Sequence, residues 1–153
     1  MEQDKETFDL SGNVALVTGG ASGLGRYFCE SMAEFGANVA IADVDEKGAK
    51  ETAELVRRFG QQSLAIRADV NNPDEVRHMA DETVAKMGRI DILVNNAGIN
   101  TKPAKIDEIP IEDWDRVLGV NLRGVFLCTR AVLAVMVKQR KGNIINIASI
   151  LWG

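Results

Sequence analysis

A glycine-rich segment near the N-terminus constrains the fold of this chain more than any other feature. It reads TGGASGLG from Thr18 to Gly25 and separates a short apolar run, residues 13–18, from a stretch with apolar residues at helical spacing. Glycines permit a tight turn and let backbone N–H groups approach an anion, and the N-terminus of the next helix adds a partial positive charge. The segment therefore predicts a strand–turn–helix unit suited to a pyrophosphate, although many α/β proteins turn tightly without binding a ligand.

Strand and helix patterns alternate along the rest of the chain. Apolar runs predict five strands, at residues 13–18, 38–42, 63–68, 91–94 and 143–148. Amphipathic segments predict helices between them; one begins with a capping box from Asn72 to Glu75, and the last covers residues 111–141. This alternation implies right-handed crossovers and a doubly wound parallel sheet of the α/β class, in a single domain over residues 1–153.

Composition limits the possible functions. The chain has 153 residues, 46% of them hydrophobic, and a net charge of -4, which is typical of a soluble domain and argues against nucleic-acid binding. The longest apolar stretch, residues 125–137, contains Arg130 and is too short to span a bilayer, so no membrane partner is expected. The acidic N-terminal residues do not resemble a targeting leader, and Cys29 and Cys128 are expected to be buried thiols in a reducing compartment. A cytoplasmic location is predicted.

The residue at the end of the second predicted strand bears on the ligand. Asp43 follows Gly25 by 18 residues, where a carboxylate can accept hydrogen bonds from the hydroxyls of an adenosine ribose. By itself Asp43 could equally be a solvated turn residue or the cap of the next helix. Together with the glycine turn, it predicts an adenine dinucleotide site.

Four further motifs follow the turn. Asp69 and Val70 end the third predicted strand, Asn95-Asn96-Ala97-Gly98 follows the fourth, Asn121 lies in VNLRGVF, and Ser149 ends NIINIAS after the fifth strand. With the TGxxxGxG spacing of the turn, these motifs resemble those of the short-chain dehydrogenase/reductase family over essentially the whole chain. The resemblance implies a Rossmann fold with strand order 3-2-1-4-5, in which the last strands of the family lie outside residues 1–153.

The resemblance also implies which residues form the site. Cofactor binding is expected at the glycine turn, at the ends of the second and third strands, and in the NNAG motif, that is, at Thr18, Gly19, Ser22, Gly23, Leu24, Gly25, Asp43, Asp69, Val70, Asn95, Ala97 and Gly98. Catalytic roles are expected for Asn121, in a proton relay, and for Ser149, whose hydroxyl would hydrogen-bond the substrate oxygen while charge develops there. No metal ligands are implied.

The catalytic pair of the family is a tyrosine and a lysine four residues after it, a dozen or so residues beyond the serine. Tyr27 is the only tyrosine in residues 1–153, and the residue four positions after it is Ser31 and not a lysine. Tyr27 therefore cannot substitute for the catalytic tyrosine of the family. The sequence is therefore interpreted as a fragment, an interrupted gene or a partner half. Residues 1–153 alone are expected to be inactive.

The implied activity is hydride transfer between NAD(H) and a secondary alcohol or ketone on a sugar, sugar acid or acyl substrate. NAD is favoured because Asp43 would repel a 2′-phosphate, and because Ser22 and Val44 stand where NADP-using relatives place basic residues. Arg26 lies near these positions, but it is one residue past Gly25, on the helix, and is given little weight as a partner of the 2′-phosphate. A homo-oligomer, a dimer or tetramer, is expected because residues 125–137 are apolar around nearly the whole helix.

Two alternatives remain open. A non-catalytic dinucleotide-binding module is favoured by the absence of the tyrosine–lysine pair from residues 1–153. A methyltransferase that binds S-adenosylmethionine on a similar sheet is disfavoured by the spacing of the glycine turn and by the NNAG motif.

Overall fold

The computed structural model describes residues 8–148 and contains one parallel sheet with helices on both faces. The strands are β1 (Val14–Thr18), β2 (Asn38–Asp43), β3 (Ser63–Arg67), β4 (Ile92–Asn95) and β5 (Asn143–Asn146). The helices are α1 (Gly23–Glu34), α2 (Glu46–Arg57), α3 (Pro73–Met87), α4 (Ile111–Leu118) and α5 (Val125–Gln139), with a 3-10 turn at Ile106–Glu108 and a π-helical segment, Gly119–Gly124, between α4 and α5. The strand order β3-β2-β1-β4-β5 confirms the predicted doubly wound fold.

The central strands are apolar because both of their faces are buried. All five residues of β1 are buried, and alternate side chains enter two separate cores. Leu16 packs with α3 and α5 on one face, whereas Ala15 and Val17 pack with α1 and α2 on the other. The order reverses between β1 and β4, which leaves a crevice at the carboxyl ends of these two strands, the place where open α/β sheets bind ligands.

The predicted capping box at the start of α3 is only half correct. The Asn72 side chain accepts hydrogen bonds from the Asp74 and Glu75 N–H groups, as predicted. The Glu75 carboxylate does not return to the Asn72 N–H, because that group already donates to the Asp69 carbonyl oxygen at 3.0 Å. The Glu75 carboxylate instead accepts a hydrogen bond from the Asp69 N–H at 2.9 Å, which connects α3 to the segment just after β3.

The predicted helical region at residues 111–141 is divided by the π-helical segment. In α5, Cys128, Val132 and Met136 are buried against the sheet and α3, whereas Phe126 and Val137 are 59% and 66% exposed. The run Ile111–Gln139 is also long and apolar enough to cross a membrane by length and composition alone, a test that the core helix of a soluble protein passes as well. Within this run only α5 packs on β4 and α3, and its other apolar side is uncovered in the part of the chain that the structure describes.

A buried carboxylate joins β1 to the start of β4 at the amino-terminal edge of the sheet. Asp91 is 1% exposed and accepts hydrogen bonds from the Val14 N–H at 3.0 Å and from Arg89 Nε at 2.7 Å, while Lys141 lies 3.8 Å away. Burial would raise the pKa of Asp91, but the hydrogen bonds from Arg89 and Val14, with the charges of Arg89 and Lys141, hold the pKa below its usual value. The carboxylate therefore stays ionised and bridges β1 to the start of β4.

We expect Asp91→Asn to lower the free energy of unfolding of the intact protein by about 2 kcal/mol at pH 7, since hydrogen bonds to a charged group contribute roughly 1.5–3 kcal/mol. Because folding lowers the pKa, this stabilisation is complete above the ordinary Asp value of about 3.9 and is lost as the pH falls through the lowered value. Urea unfolding at pH 7 and at about pH 3 measures both effects. The exposed Asp81→Asn is the control, and an equal difference at both pH values would contradict the assignment.

Candidate functional site

A groove of about 430 Å³ lies at the carboxyl ends of the strands, where the strand order reverses. Ten of the twelve residues expected to bind a cofactor line it, namely Gly19, Ser22, Gly23, Leu24, Gly25, Asp43, Asp69, Val70, Ala97 and Gly98. The other lining residues are Val44, Ala68, Asn96, Ile99 and Val120. The fold thus brings together residues that are up to 101 positions apart in the sequence (19 to 120) around one space.

The glycines make the floor of this groove. A Cβ on Gly25 would overlap the carbonyl oxygen of Gly19, and a Cβ on Gly19 would lie 2.8 Å from the Cα of Ala97. Gly19 and Gly23 also have φ values of +67° and +51°, which side chains rarely adopt. The groove therefore has its depth only because these positions lack side chains.

The N-terminus of α1 opens into the groove without a side-chain cap. Ser22 precedes α1 but makes no capping hydrogen bond, and the first turn carries no acidic residue. By contrast, Asp45 caps α2 through the Gly48 N–H, and Asn72 caps α3. The first N–H groups of α1 and the positive end of its dipole are thus left for an anion, which fits the pyrophosphate of a dinucleotide.

Buried Thr18 and half-buried Asn96 hold the wall of the groove in place. Thr18 is 1% exposed, and its hydroxyl accepts hydrogen bonds from the N–H groups of Asn96 and Ala97, both at 3.1 Å. The Asn96 amide donates to the carbonyl oxygens of Thr18 and Gly19 at 3.0 and 3.1 Å. Thr18 thus lies behind the groove. Asn96 is part of the site although only its neighbours in the NNAG motif were predicted to bind the cofactor.

Asp43 ends β2 at the rim of the groove. One carboxylate oxygen accepts from the Ala21 N–H at 3.0 Å and the other from the Asp45 N–H at 2.9 Å. Two such oxygens offer about four acceptor sites, so roughly two remain for other donors. The alternative that Asp43 caps α2 is wrong, because Asp45 is the cap.

Asp69 and Val70 form the opposite rim. The Asp69 side chain closes a local turn by accepting from the Asn71 N–H at 2.8 Å, and its backbone N–H donates to Glu75. That backbone hydrogen bond is the main cause that lowers the pKa of Glu75, so the contact persists at neutral pH. The rim is thereby fixed to the first turn of α3.

A second cavity, of about 480 Å³, adjoins the groove on the side of α5 and shares residues 96–99 with it. Asn95, which is 3% exposed, contributes to its base; its amide donates to Thr129 Oγ1 at 3.1 Å and to Asn146 Oδ1 at 2.9 Å. Asn95 thus joins β4 to α5 and β5 rather than lining the groove.

Asn121 lies in the π-helical segment and faces the same cavity. Its side-chain amide both donates to the carbonyl oxygen of Ile99 and accepts from the Ile99 N–H, each at 2.9 Å. The irregular helix and this double hydrogen bond hold the loop after the NNAG motif. Ser149, the other expected catalytic residue, lies outside the described residues 8–148.

The remaining nucleophilic candidates do not contribute to the site. Burial raises the pKa of both the Cys29 and the Cys128 thiols to about 12, which excludes a thiolate nucleophile and confirms that both thiols are buried. Tyr27 is 67% exposed on α1 and does not line either cavity. The described residues therefore provide a groove and an adjoining cavity, and neither Tyr27 nor the two thiols line them.

The comparison with known families agrees with this geometry. The model of the short chain dehydrogenase family matches residues 13–151. The chain belongs to the short-chain dehydrogenase/reductase family, whose members are oxidoreductases, and its parallel sheet with order 3-2-1-4-5 is the Rossmann fold of that family.

Known relatives share this part of their length with the chain. The (2S)-[(R)-hydroxy(phenyl)methyl]succinyl-CoA dehydrogenase subunit BbsD of Thauera aromatica is 42% identical over 143 residues, which are 94% of this chain and 57% of that protein. A short-chain type dehydrogenase/reductase from Mycobacterium marinum superposes with a TM-score of 0.89 at 40% identity, covering 93% and 56% of the two chains. NAD+-bound xylitol dehydrogenase gives 0.89 at 33% identity, covering 91% and 54%. The chain thus spans a little over half the length of these relatives.

Proposed function

We propose that the whole protein is an NAD-dependent oxidoreductase that transfers hydride between NAD(H) and a secondary alcohol or ketone, and that the described residues bind its cofactor. The groove at the strand reversal, with a glycine floor and an uncapped helix N-terminus, carries this proposal. An acidic residue, Asp43, stands at the rim where the adenosine ribose of a dinucleotide would lie. The similarity to a solved xylitol dehydrogenase that binds NAD+ supports the same cofactor.

Each part of the groove has a separate task in this proposal. The N–H groups at the start of α1 would bind the pyrophosphate, Asp43 would accept hydrogen bonds from the ribose hydroxyls, and Asp69 and Val70 would border the adenine. Bound NAD would supply the hydride acceptor of the reaction. Asn121 would keep the loop at Ile99 in place and, with Ser149, would orient the substrate oxygen in the adjoining cavity.

The charges around the groove favour NAD over NADP. Asp43 would repel a 2′-phosphate, and neither Ser22 nor Val44 adds a positive charge next to it. Arg26 lies one residue past Gly25, but its guanidinium donates to Thr52 and Glu51 of α2 and to the Ala21 carbonyl oxygen. The arginine is thus committed to the helix behind the turn and not to the ribose.

The substrate is proposed only as a class. A secondary alcohol or ketone on a sugar, sugar acid or acyl group suits the names of the relatives, which include a succinyl-CoA derivative dehydrogenase and a xylitol dehydrogenase. A non-catalytic dinucleotide-binding module is the second candidate, since Tyr27 is the only tyrosine in residues 1–153 and lies outside both cavities.

We expect Asp43→Ala to weaken NADH binding to the intact protein about tenfold and to strengthen NADPH binding, because a charged hydrogen-bond acceptor is removed and so is its repulsion of the 2′-phosphate. Fluorescence titration with both cofactors measures the two dissociation constants. The exposed Asp45→Asn, which keeps an N-cap on α2, is the matched control. An Asp43→Ala protein with an unchanged preference, or a native protein that prefers NADPH, would contradict the proposal.

We also propose a homo-oligomer formed through α5 and the segment before it. An exposed apolar stripe, defined as Leu118, Leu122, Phe126, Leu133 and Val137, runs along this region at intervals of four, four, seven and four residues. Arg130 is exposed within the longest interval. A soluble monomer rarely leaves a large apolar surface uncovered. Phe126→Asp is therefore expected to convert a dimer or tetramer of the intact protein into monomers in light scattering, whereas Phe59→Asp, outside the stripe, is not. A monomeric native protein would refute this proposal.

A further inference from the structure

The back of the glycine turn rests on helix α2. Ala21 is 3% exposed, and a Cβ on Gly48 of α2 would lie 2.8 Å from its side chain, so the helix and the turn meet without room for another atom. Thr52, one turn further along α2, is fully buried behind the same turn. The side of the turn away from the groove is thus packed against α2.

The hydroxyl of Thr52 acts on the peptide group that contacts Asp43. Thr52 Oγ1 lies 2.9 Å from the carbonyl oxygen of Gly20, and that carbonyl belongs to the peptide whose N–H is the Ala21 N–H. The same N–H donates to Asp43 Oδ2 at 3.0 Å. Because a trans peptide is planar, a hydrogen bond that holds its carbonyl also sets the direction of its N–H.

Arg26 fixes the proton of that hydroxyl. Arg26 Nε donates to Thr52 Oγ1 at 3.0 Å, so the hydroxyl accepts on one side and is directed to donate on the other, to Gly20 or to its own helix at Gly48, 3.1 Å away. Arg26 Nη2 donates to the Ala21 carbonyl oxygen at 2.5 Å and lies 3.4 Å from Glu51 Oε2. A guanidinium presents its donors in a rigid plane, so these contacts lock it in one orientation.

We infer that Arg26 and Thr52 are positioning residues for cofactor discrimination: they hold the Gly20–Ala21 peptide, which in turn orients the Asp43 carboxylate towards the ribose. A hydrogen-bonded chain runs from the guanidinium through the hydroxyl and the peptide to the carboxylate, and each link polarises the next. Without this chain of hydrogen bonds, the Asp43 carboxylate could rotate away from the ribose. It would then neither accept from the ribose hydroxyls nor repel a 2′-phosphate. This inference rests on the proposed use of NAD.

The test compares dissociation constants of NADH and NADPH for variants of the intact protein, measured by fluorescence titration. Thr52→Val removes the hydroxyl with little change of shape and is expected to reduce the preference for NADH about tenfold, the effect of losing one hydrogen bond to a charged network. Thr52→Ser is expected to retain the preference. Thr83→Val is the matched control, because Thr83 is equally buried and bonds its own helix at Met79, but does not touch the turn.

A double-mutant cycle shows whether the effect passes through Asp43. In an Asp43→Ala background, adding Thr52→Val is expected to change the NADH/NADPH ratio less than twofold, since the carboxylate that it orients is gone. An equal loss in both backgrounds, or a Thr52→Val protein with lowered melting temperature and unchanged ratio, would overturn the inference and leave a purely structural role.

Arg26→Lys keeps the charge but cannot hold Thr52 and Ala21 together, and provides the second variant should Thr52→Val fail to fold. It is expected to lose part of the preference, and an unchanged ratio would overturn the inference. A native protein that binds NADH no better than NADPH would instead refute the proposed function itself, before any variant is compared.

Discussion

Residues 1–153 expressed alone are expected to bind NADH and to oxidise no secondary alcohol at a measurable rate. The groove, the turn and Asp43 all lie within this length, so the proposed cofactor site is present in it. Catalysis needs a general acid and base, which typically contributes about 10²–10⁴-fold. Tyr27, the only tyrosine, is 67% exposed and outside both cavities, and the two thiols have a pKa of about 12. Neither Tyr27 nor the two thiols can therefore act as this acid and base.

The assay follows NAD reduction over a panel of secondary alcohols and compares residues 1–153 with a version completed by a C-terminal segment carrying a tyrosine and a lysine four residues apart, in cis or in trans. We expect activity only in the completed protein, together with better solubility, because β5 is an open strand edge with Ile145 43% exposed. Substantial turnover by residues 1–153 alone would mean that another base has replaced the tyrosine. It would contradict the mechanism but not the cofactor site.

Gly25→Ala is expected to abolish NADH binding, with a loss of at least about 100-fold in affinity, because the added Cβ overlaps backbone atoms that cannot move independently. That Cβ would strike the carbonyl oxygen of Gly19 and lie 2.5 Å from the Asn96 amide, which itself holds the Gly19 and Thr18 carbonyls. The turn would have to shift away from β4, and the floor of the groove would shift with it. Overpacking of this kind also costs roughly 1–3 kcal/mol of stability.

The matched control is Gly60→Ala, at a glycine outside the groove. Nothing lies within 4 Å of its added Cβ, so only the backbone strain at φ +81° applies, of the order of 1 kcal/mol. Titration with NADH and thermal unfolding of both variants separate loss of binding from loss of stability. A comparable loss of affinity in the Gly60→Ala protein would show that backbone strain, and not the contact between the turn and β4, weakens cofactor binding.

Local patterns predicted the parts of the fold that depend on local physics. Apolar runs located all five strands, and helical periodicity located the helices, because burial on two faces or on one side leaves a direct trace in residue order. The strand ends differed by only one or two residues: β2 extends to Asp43, and β5 ends at Asn146. The order of the motifs, through the family resemblance, predicted the strand order and the residues that meet at the groove.

Contacts between segments that are distant in the sequence could not be predicted from local patterns. The capping box was predicted from spacing, yet Glu75 bonds the Asp69 N–H, because the chain before α3 folds back and occupies the Asn72 N–H first. The sequence assigned no role to Asn96 beyond its place in the NNAG motif, and only the approach of β4 to the turn shows that its amide donates to two carbonyl oxygens of the glycine segment. A side chain's partner across the fold leaves no periodic signal.

The sequence by itself determined that this chain builds a parallel α/β sheet with a dinucleotide-type turn and an acidic residue at the end of β2, since each of these is a property of neighbouring residues. Only the tertiary structure decided what stands behind that turn. In the sequence Arg26 lies near the glycine turn, one position after Gly25, but α2 packs against the turn and binds its guanidinium through Thr52 and Glu51. Whether a cation faces the ligand or the protein depends on which helix packs beside it. The order of the strands in the sheet determines which helix that is.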